Sequence, residues 1–384
     1  MALGAALAAS IVVAMQVPLL SQRASASVNL PAVRGAHARI VWPSVGGAAL
    51  LIPAYGVARS WHDQSMPIAS LTKLMTTYVT LAHLPLSIGQ TGPCLTVTSG
   101  DVLVYDLMRA SDQSSVPVVA GESLCEMDLL EGLLVHSANN FADLLATMVA
   151  GSSDTFVSMM NQSAAALGLR STHYADPSGY DNANVSSALD QARLAVRLMS
   201  SSLVRSIVLL TSVALPDAGV VGTYTPLLGT DNVIGVKSGR TSAAGGCDVM
   251  AMTFSQGSTT RVLYAVVLGQ RGGDLLGPAG AAALALADSA LALQHHYRFS
   301  RGESVGTVGW GARRAPMVFA HSHEVWWWSV NPTETLKVSI RSMTTTIRHG
   351  QIVGRFSLDG GTRASYTLVA GASVSPLTLW QRLR

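Results

Sequence analysis

The chain has little charge of either sign and no long run of basic residues. Of its 384 residues 12% are charged and 49% are hydrophobic, and the formal net charge is only +3. This composition excludes a largely disordered chain, and it gives no reason to expect binding to nucleic acid. The apolar content is ample for packed cores, and the length favours two or three domains.

Lysine is the rarest of the charged residues. Among 25 basic residues only Lys73, Lys237 and Lys337 are lysines, and the remaining 22 are arginines. Arginine keeps its proton at any accessible pH, whereas a buried lysine can lose it. Because arginine is used wherever a plain positive charge is enough, the three lysines are candidates for chemistry. The alternative is that they are random remnants of a biased composition.

Cysteine is also scarce. Cys94, Cys125 and Cys247 are too few for a disulfide framework and match no metal-ligand spacing. In an exported chain Cys94 and Cys125 form a candidate disulfide that leaves Cys247 free, and buried unpaired thiols are the alternative.

The N-terminus has the character of a targeting segment. Residues 2–20 are almost wholly apolar, and Ala24-Ser25-Ala26 supplies small residues for cleavage. No basic residue precedes Arg23, so the usual basic start of a signal peptide is missing. We predict a signal peptide or membrane anchor over 1–27, a linker over 28–44 and an exported protein. A buried core helix is the alternative.

The rest of the chain contains two regions with different sequence patterns. An apolar strand-like run (48–57) precedes a helical periodicity that begins at Leu71, and helical patterns dominate again from about residue 122 to 210. Strand signals follow at 232–239, 247–254 and 261–269, then an Ala/Leu helix at about 279–297. We predict one α/β domain over 45–298, with a sheet assembled from both ends and a helical insertion, and a small all-β domain over 299–384.

Ser70 and Lys73 lie three residues apart in "PIASLTKLMT". Pro67 favours an extended chain just ahead of the helix, so Ser70 is expected near the helix start with Lys73 one turn beyond it. A serine hydroxyl is a weak nucleophile unless a base takes its proton, and a lysine serves as that base only when its pKa is lowered. Alone the spacing is weak, since roughly 0.3 such matches are expected by chance.

A second lysine motif strengthens the case. Lys237-Ser238-Gly239 ends a strand-like run, where a cation can bind a carboxylate and lower the pKa of a neighbouring lysine, and where glycine permits close approach. Ser137-Ala138-Asn139 lies in the break between two predicted helices, where a hydroxyl can relay a proton and an amide can hold a carbonyl group. Ser-x-Asn also occurs at 27–29 and 329–331, and only the copy at 137–139 lies between the two lysine motifs.

In this order and spacing "PIASLTKLMT", "SANN" and "VKSGRT" resemble the three signatures of the penicillin-binding protein and serine β-lactamase superfamily. "DPSGYDNANVSSALDQARLA" and "AAGGC" resemble the D-alanyl-D-alanine carboxypeptidases, the low-molecular-weight penicillin-binding proteins. The resemblance covers roughly residues 45–297, and a small β domain commonly comes next in that group. It implies an α/β (α+β) fold in which an antiparallel sheet lies between helices and a helical lobe carries Ser70 and Ser137.

The resemblance implies roles for the residues that match its motifs. Ser70 is expected to be the acylated nucleophile and Lys73 its general base. Ser137 is expected to pass the proton toward the leaving D-alanine, and Asn139 to position the substrate amide.

The third motif is expected to bind the end of the substrate. Lys237, Ser238 and Thr241 are expected to hold the terminal carboxylate, with Gly239 giving room for the substrate backbone. The backbone N–H groups of the nucleophile and of Arg240 are expected to form the oxyanion hole. Two departures stand out: Ser238 replaces the commoner threonine, and Arg240 places a bulky cation beside the hole.

The resemblance therefore predicts an exported serine-type D-alanyl-D-alanine carboxypeptidase that uses no metal or cofactor. Its partners are expected to be peptidoglycan stem peptides, β-lactams as covalent inhibitors, and the membrane if the N-terminus is retained. No Glu-x-x-Leu-Asn stretch occurs after Asn139, so slow deacylation of β-lactams is expected. A β-lactam sensor or wall-binding protein without turnover, a β-lactamase and a DD-endopeptidase remain open.

Three further motifs have simpler explanations. "GESVG" (302–306) matches the nucleophile elbow of α/β hydrolases, but a turn that opens the β domain is favoured. "HSHE" (321–324) has no further metal-ligand pattern, and the tryptophans at 326–328 fit a strand better than a sugar-binding or membrane-facing patch.

Overall fold

The structure, a computed structural model, describes residues 23–28, 39–328, 335–359, 364–376 and 378. The predicted leader up to residue 22 and the predicted linker from 29 to 38 lie outside this range. The chain divides into a larger unit, Ala38–Ala292, and a smaller unit that combines Met1–His37 with Leu293–Arg384. No helix within the described ranges is long and apolar enough to cross a membrane.

The regular elements are numbered in chain order over the described residues. The strands are β1 (Ser25–Val28), β2 (Gly47–Ile52), β3 (Val57–Trp61), β4 (Met66–Pro67), β5 (Cys94–Thr96), β6 (Ser123–Cys125), β7 (Val185–Ser186), β8 (Ser212–Leu215), β9 (Gly219–Gly222), β10 (Val233–Thr241), β11 (Gly245–Gln256), β12 (Thr259–Gln270), β13 (Gln294–Phe299), β14 (Ser304–Trp310), β15 (Arg313–Phe319), β16 (His323–Trp328), β17 (Thr335–Ile340), β18 (Ile352–Asp359) and β19 (Ala364–Ala370). The helices are α1 (Thr72–His83), α2 (Ser99–Ala110), α3 (Glu126–Leu134), α4 (Asn139–Ala150), α5 (Ser153–Ala166), α6 (Ala188–Leu198), α7 (Ser202–Val208) and α8 (Leu276–Leu291).

A five-stranded antiparallel sheet organises the larger unit. Its order is β10-β11-β12-β2-β3, so the first and last parts of the unit build one sheet. Every residue of β2 is buried, as a continuous apolar run predicts for a strand that is covered on both faces. Helix α8 packs against β11 and β12, and α6 packs against β2 and β12. An antiparallel sheet between helices confirms the predicted fold class.

Helix α1 lies at the centre of the helical lobe and packs against α4, α5 and α6. Its apolar residues Leu74, Met75 and Val79 are fully buried. Two of its buried threonine hydroxyls donate to main-chain carbonyls: Thr76 bonds to the Pro177 carbonyl oxygen at 2.5 Å and Thr77 to the Lys73 carbonyl oxygen at 2.8 Å. The helix that carries Lys73 is therefore held on all sides by packing.

Two predicted boundaries are wrong in an instructive way. The helix predicted over 279–297 ends at Leu291, and Gln294–Phe299 instead forms β13, which pairs with β16. The run of two histidines, a tyrosine and a phenylalanine favours a strand, which the helical Ala/Leu pattern before it obscures. The apolar run at 48–57 is likewise interrupted by a 3₁₀ turn over Pro53–Tyr55.

The smaller unit contains a six-stranded antiparallel sheet in the order β1-β14-β15-β19-β18-β17. Phe299, Phe319 and Phe356 form the centre of its core, with ring centroids 4.6 to 5.5 Å apart. Strand β1 lies across the boundary between the predicted leader and the predicted linker, and the sequence predicts neither β1 nor β18. Ala24, just before β1, is buried and its N–H donates to the Met343 carbonyl oxygen at 2.9 Å.

The minor motifs belong to this smaller unit. Strand β14 begins at Ser304, so the "GESVG" serine is continued by a strand rather than a helix, and the nucleophile-elbow interpretation is wrong. The tryptophans at 326–328 lie in β16, where Trp328 is buried and Trp326 stacks on His296. Across the described part of the chain, no cluster of histidine, cysteine and acidic side chains has the geometry of a metal site.

A disulfide joins Cys94 in β5 to Cys125 in β6, and Cys247 is a buried free thiol.

Replacing both paired cysteines by serine is expected to lower the free energy of unfolding of the larger unit by about 2–4 kcal/mol, because the disulfide restricts the unfolded chain over a separation of 31 residues. Urea denaturation with and without reductant checks this: reductant should lower the midpoint of the wild type and leave that of the double variant unchanged. Equal midpoints for oxidised wild type and variant would contradict the prediction.

Candidate active site

Ser70 lies in a 3₁₀ turn, Ala69–Leu71, that leads directly into α1. The turn places Ala69 at φ +49°, a conformation that costs energy for a residue with a side chain. Gly179, at φ +87°, packs against the Ala69 carbonyl so closely that a Cβ atom there would collide with it. Packing therefore holds the turn in a strained shape that presents the Ser70 side chain.

The Lys73 ammonium or amine group is fully buried and has three oxygen neighbours. Its Nζ atom lies 2.9 Å from Ser70 Oγ, 2.6 Å from Asn139 Oδ1 and 2.7 Å from the Ser178 carbonyl oxygen. A neutral amine has two hydrogens and one lone pair, and the last two oxygens can only accept. They take both hydrogens, so the lone pair is left for the Ser70 hydroxyl proton.

The electrostatic surroundings favour that neutral form. Burial lowers the pKa of Lys73 well below its usual value, and the positive charge of Lys237 lowers it further, while Asp176 and Asp143 oppose the shift. Burial also lowers the pKa of Lys237 to about 7, against the opposing effect of Asp248. Both lysines therefore titrate far below an exposed lysine.

The segment 176–184 brings the Ser178 carbonyl to Lys73, and Asp176 fixes its shape. Burial would raise the pKa of Asp176, but hydrogen bonds donated to its carboxylate outweigh burial and lower that pKa. The groups that donate to it are the Ser178 hydroxyl and the Ser178, Gly179 and Asp181 N–H groups, with the Asn184 side-chain amide. The sequence prediction missed Asp176 and Ser178, although "DPSGYDN" is rich in the residues that form such side-chain-stabilised turns.

Ser137 and Asn139 flank the start of α4. Ser137 is nearly buried at φ +61°, a second strained residue at the site, and Asn139 is the first residue of the helix. The Asn139 amide bridges two groups: its oxygen accepts from Lys73, and its nitrogen donates to Gln113 Oε1 at 2.8 Å. The sequence prediction missed Gln113, because nothing local links it to Asn139.

Strand β10, at one edge of the sheet, closes the site from the other side. Lys237 Nζ donates to the Ser238 carbonyl oxygen at 2.7 Å, and the Ser238 hydroxyl donates to the Tyr224 carbonyl oxygen at 2.8 Å. Thr241 Oγ1 accepts from the Ala244 N–H at 3.0 Å. An edge strand leaves alternate backbone N–H groups unpaired, which is the kind of donor that an oxyanion hole needs.

The Arg240 side chain extends toward the segment just before α8. It is exposed, and its Nη1 atom donates to the Asp274 carbonyl oxygen at 3.1 Å.

Strand β11 carries a buried acid that the sequence prediction missed. Asp248 pairs with Ser238 in register. Burial raises the pKa of Asp248 to about 8, and the charge of Lys237 opposes the shift. Neither Asp248 carboxyl oxygen has a hydrogen-bond partner.

A cavity of about 700 Å³ lies between the helical lobe and β10. Seven of the predicted site residues line it: Ser70, Ser137, Asn139, Ser238, Gly239, Arg240 and Thr241. Lys73 and Lys237 are fully buried and are not among the lining residues. The structure thus brings the three sequence motifs together around one cavity.

Gly239 lies against the main chain of Ser70. A Cβ atom at this position would lie 2.6 Å from the Ser70 nitrogen and 3.2 Å from its Cβ atom. We therefore expect Gly239→Ala to displace Ser70 and to lower the rate of its acylation by labelled penicillin by about 100-fold. Gly100→Ala, in helix α2 with only the Thr98 hydroxyl 3.4 Å away, is the control and should react like the wild type. Wild-type acylation of a folded Gly239→Ala variant would disprove this role for Gly239.

Comparison with known proteins places this geometry in a family. The family model for Peptidase S11, described as D-alanyl-D-alanine carboxypeptidase, matches residues 57–272. The chain is 36% identical over 137 residues to a D-alanyl-D-alanine endopeptidase of Pseudomonas aeruginosa, covering 35% of this chain and 40% of the relative. It is 33% identical over 213 residues to the D-alanyl-D-alanine carboxypeptidase DacD of Escherichia coli, covering 54% and 53%. The chain thus spans about half or less of the length of these relatives.

Solved structures are similar over a longer range. A D-alanyl-D-alanine carboxypeptidase from Mycobacterium tuberculosis matches with a TM-score of 0.57 and 26% identity, over 67% of this chain and 95% of that one. Penicillin-binding protein 5 from Haemophilus influenzae matches with a TM-score of 0.60 over 87% of this chain and 99% of that one, and its 22% identity supports the fold alone. The chain belongs to the Peptidase S11 family of D-alanyl-D-alanine carboxypeptidases.

Proposed function

We propose that the protein is a serine-type D-alanyl-D-alanine carboxypeptidase that removes the terminal D-alanine from peptidoglycan pentapeptide stems. The observation that carries the proposal is the hydrogen bonding of Lys73, whose two acceptors leave its lone pair facing Ser70 Oγ at 2.9 Å. A protein that only binds its ligand non-covalently needs no base beside a serine, whereas acyl transfer to a serine hydroxyl requires a group that takes its proton.

In the acylation step Ser70 Oγ attacks the carbonyl carbon between the two D-alanines while its proton passes to Lys73 Nζ. The oxyanion that forms is stabilised by the backbone N–H groups of Ser70 and Arg240. The tetrahedral intermediate then collapses, and the C–N bond breaks. The Lys73 proton reaches the leaving amine through the Ser137 hydroxyl, so D-alanine departs and an ester remains on Ser70.

Hydrolysis completes the cycle. A water molecule attacks the ester as Lys73 accepts its proton, and that proton then returns to Ser70 Oγ as the acyl group leaves. In a β-lactam the leaving nitrogen stays attached to the acyl group, so it blocks the site. Because no added glutamate serves the deacylating water, we expect a long-lived adduct rather than rapid β-lactam hydrolysis.

The third motif gives the enzyme its preference for a free C-terminus. The Lys237 ammonium supplies the charge for the substrate carboxylate, and the Thr241 hydroxyl, which accepts from Ala244, keeps its own hydrogen available to donate. When substrate binds, the Ser238 hydroxyl donates its hydrogen bond to a carboxylate oxygen of the substrate instead of to the Tyr224 carbonyl oxygen. Asn139 uses its second side-chain N–H to hold the substrate amide carbonyl.

A DD-endopeptidase is the second candidate, because a relative that is 36% identical carries that name. Both activities share the acyl-enzyme on Ser70 and differ only in the leaving group, which is a free D-alanine in one case and a cross-linked peptide in the other. Measured side by side, a pentapeptide and a cross-linked dimer distinguish the two.

The remaining proposals concern the whole chain. The substrate lies outside the cytoplasm and residues 2–20 are apolar, so we propose an exported enzyme that reaches the membrane through its N-terminus if that segment is retained. We propose 45–298 as the catalytic domain and 299–384 as the accessory β domain. The division into units between Ala292 and Leu293 supports a boundary just after α8, six residues before the proposed one.

The proposal predicts a covalent adduct with labelled penicillin and release of D-alanine from a D-Ala-D-Ala peptide. Ser70→Ala should abolish both. Lys73→Arg should lose nearly all activity, because arginine keeps the charge but cannot accept a proton. Adduct formation without D-alanine release would identify a sensor, and the absence of both from folded wild type would refute the proposal. An active Lys73→Arg variant would refute the role of Lys73 as base.

Rate against pH tests the two lysines separately. kcat/KM should rise with pH as Lys73 loses its proton, and should fall as pH passes through the pKa of Lys237, about 7 in the free protein, because the substrate carboxylate loses its cation. The bound carboxylate stabilises the Lys237 ammonium, so KM should rise at a lower pH than kcat falls. Lys237→Arg, which cannot deprotonate, should abolish the alkaline fall in kcat/KM. An unchanged alkaline limb in that variant would assign it to another group.

A further inference from the structure

The side-chain amide of Asn139 lies between two groups, one that donates to its oxygen and one that accepts from its nitrogen. Lys73 Nζ is 2.6 Å from the amide oxygen, and Gln113 Oε1 is 2.8 Å from the amide nitrogen. The arrangement matches donors to acceptors at both contacts: the lysine donates to the amide oxygen, and the amide nitrogen donates to the glutamine oxygen. Gln113 lines the active-site cavity but has no bond to Ser70 or Lys73 among the hydrogen bonds of the described residues.

Reversal of this amide would disable the base. If the amide turned over, its N–H would face Lys73 Nζ and would bind the lone pair that must take the Ser70 proton. If Lys73 were an ammonium, it would face the amide N–H of Asn139, which is also a donor, at 2.6 Å. One of its own hydrogens would then lose the amide oxygen as its acceptor. The direction of one amide therefore decides whether Lys73 is available to Ser70.

The chain segment that follows Gln113 is held against the start of α4 by hydrogen bonds. The Asn139 N–H donates to the Ser114 carbonyl oxygen at 2.8 Å. One residue further on, the Asn140 side chain accepts from the Val116 N–H at 3.1 Å and donates to the Val116 carbonyl oxygen at 2.8 Å. The chain that carries Gln113 is thus attached to the start of α4, which fixes the distance between Gln113 and Asn139.

We propose that Gln113 is a positioning residue that holds the Asn139 amide with its oxygen toward Lys73 and its second N–H toward the substrate. The inference rests on the proposed function, since it assigns Gln113 a part in the same acyl transfer. Gln113 acts only through Asn139, and removing its oxygen frees the amide to turn.

Two substitutions separate this role from a general one in folding. Gln113→Met keeps the length of the side chain and removes the acceptor, whereas Gln113→Glu keeps an acceptor and cannot donate. Gln64→Met and Gln64→Glu make the same chemical changes at an exposed glutamine that does not line the cavity. Thermal unfolding of all four variants establishes that each is folded.

We measure the rate of acylation by labelled penicillin as a function of pH. Gln113→Met should be slower than wild type by about tenfold or more at every pH, because the base and the substrate contact are both misplaced. Gln113→Glu should be slow at low pH and should approach the wild-type rate at high pH, because its carboxylate orients the amide but favours the Lys73 ammonium. The Gln64 variants should match the wild type. Equal pH profiles for Gln113→Met and Gln113→Glu, or a wild-type rate in Gln113→Met, would overturn the proposal.

Titration of Lys73 gives a second readout that does not depend on activity. The sequence contains three lysines, so isotope-labelled lysine side chains give three NMR signals that Lys→Arg variants assign. The pKa of Lys73 already responds to Lys237, Asp176 and Asp143, and these stay in place in both variants. Gln113→Met should lower the pKa, because the amide oxygen no longer favours the ammonium, and Gln113→Glu should raise it.

The two readouts distinguish a failure of the proposed function from a failure of the positioning role of Gln113. Wild-type protein that forms no penicillin adduct would refute the proposed function, and the opposed changes in Lys73 titration would still decide whether Gln113 orients the amide. A Lys73 pKa that is unchanged in Gln113→Met would overturn the positioning role, whatever the activity.

Discussion

The site depends on one constraint: an amine has been taken entirely out of water. A buried lysine without charge compensation is most stable when neutral, but a neutral amine still needs partners for two hydrogens. The Asn139 side chain and the Ser178 carbonyl provide them from two different parts of the helical lobe. Once both are in place, the only unsatisfied feature of the amine is the lone pair that faces Ser70. Much of the surrounding lobe serves to hold these two acceptors.

The sheet contributes the complementary half. Lys237 is as deeply buried as Lys73, yet it lies on an edge strand where an incoming carboxylate can supply the missing negative charge. Its positive charge in turn disfavours a second cation at Lys73 and lowers the pKa of that lysine further. Gly239 permits this arrangement, because only a residue without a side chain lets the strand meet the main chain of Ser70. Close approach, rather than loop flexibility, is what this glycine provides.

The sequence predicts the parts of the site whose chemistry is local. The predicted Ser70 and Lys73 share one helical turn, and the fold class can be inferred from the alternation of apolar runs and helical periods. Of the two acceptors of Lys73, Asn139 was a predicted site residue, but for the substrate amide rather than for Lys73. Ser178 was missed because it is separated from Lys73 by 105 residues and contributes only a carbonyl oxygen, which any residue has. Gln113 was missed for the same reason, since its partner lies 26 residues away. Strand β1 was missed because its residues also fit a targeting segment.

The pairing of β1 with β14 makes the smaller unit discontinuous in the chain. Ser25 lies opposite Gly309, so the larger unit is inserted between two strands of one sheet. During synthesis β1 emerges before β14, its partner in the sheet, and β14 follows only after the whole larger unit has been made. The order of assembly is therefore reversed relative to the order of the chain: the inserted unit can fold while the sheet that encloses it in sequence is still incomplete. Cleavage of the main chain in either of the two segments that connect the units would also leave two fragments that remain paired through β1 and β14.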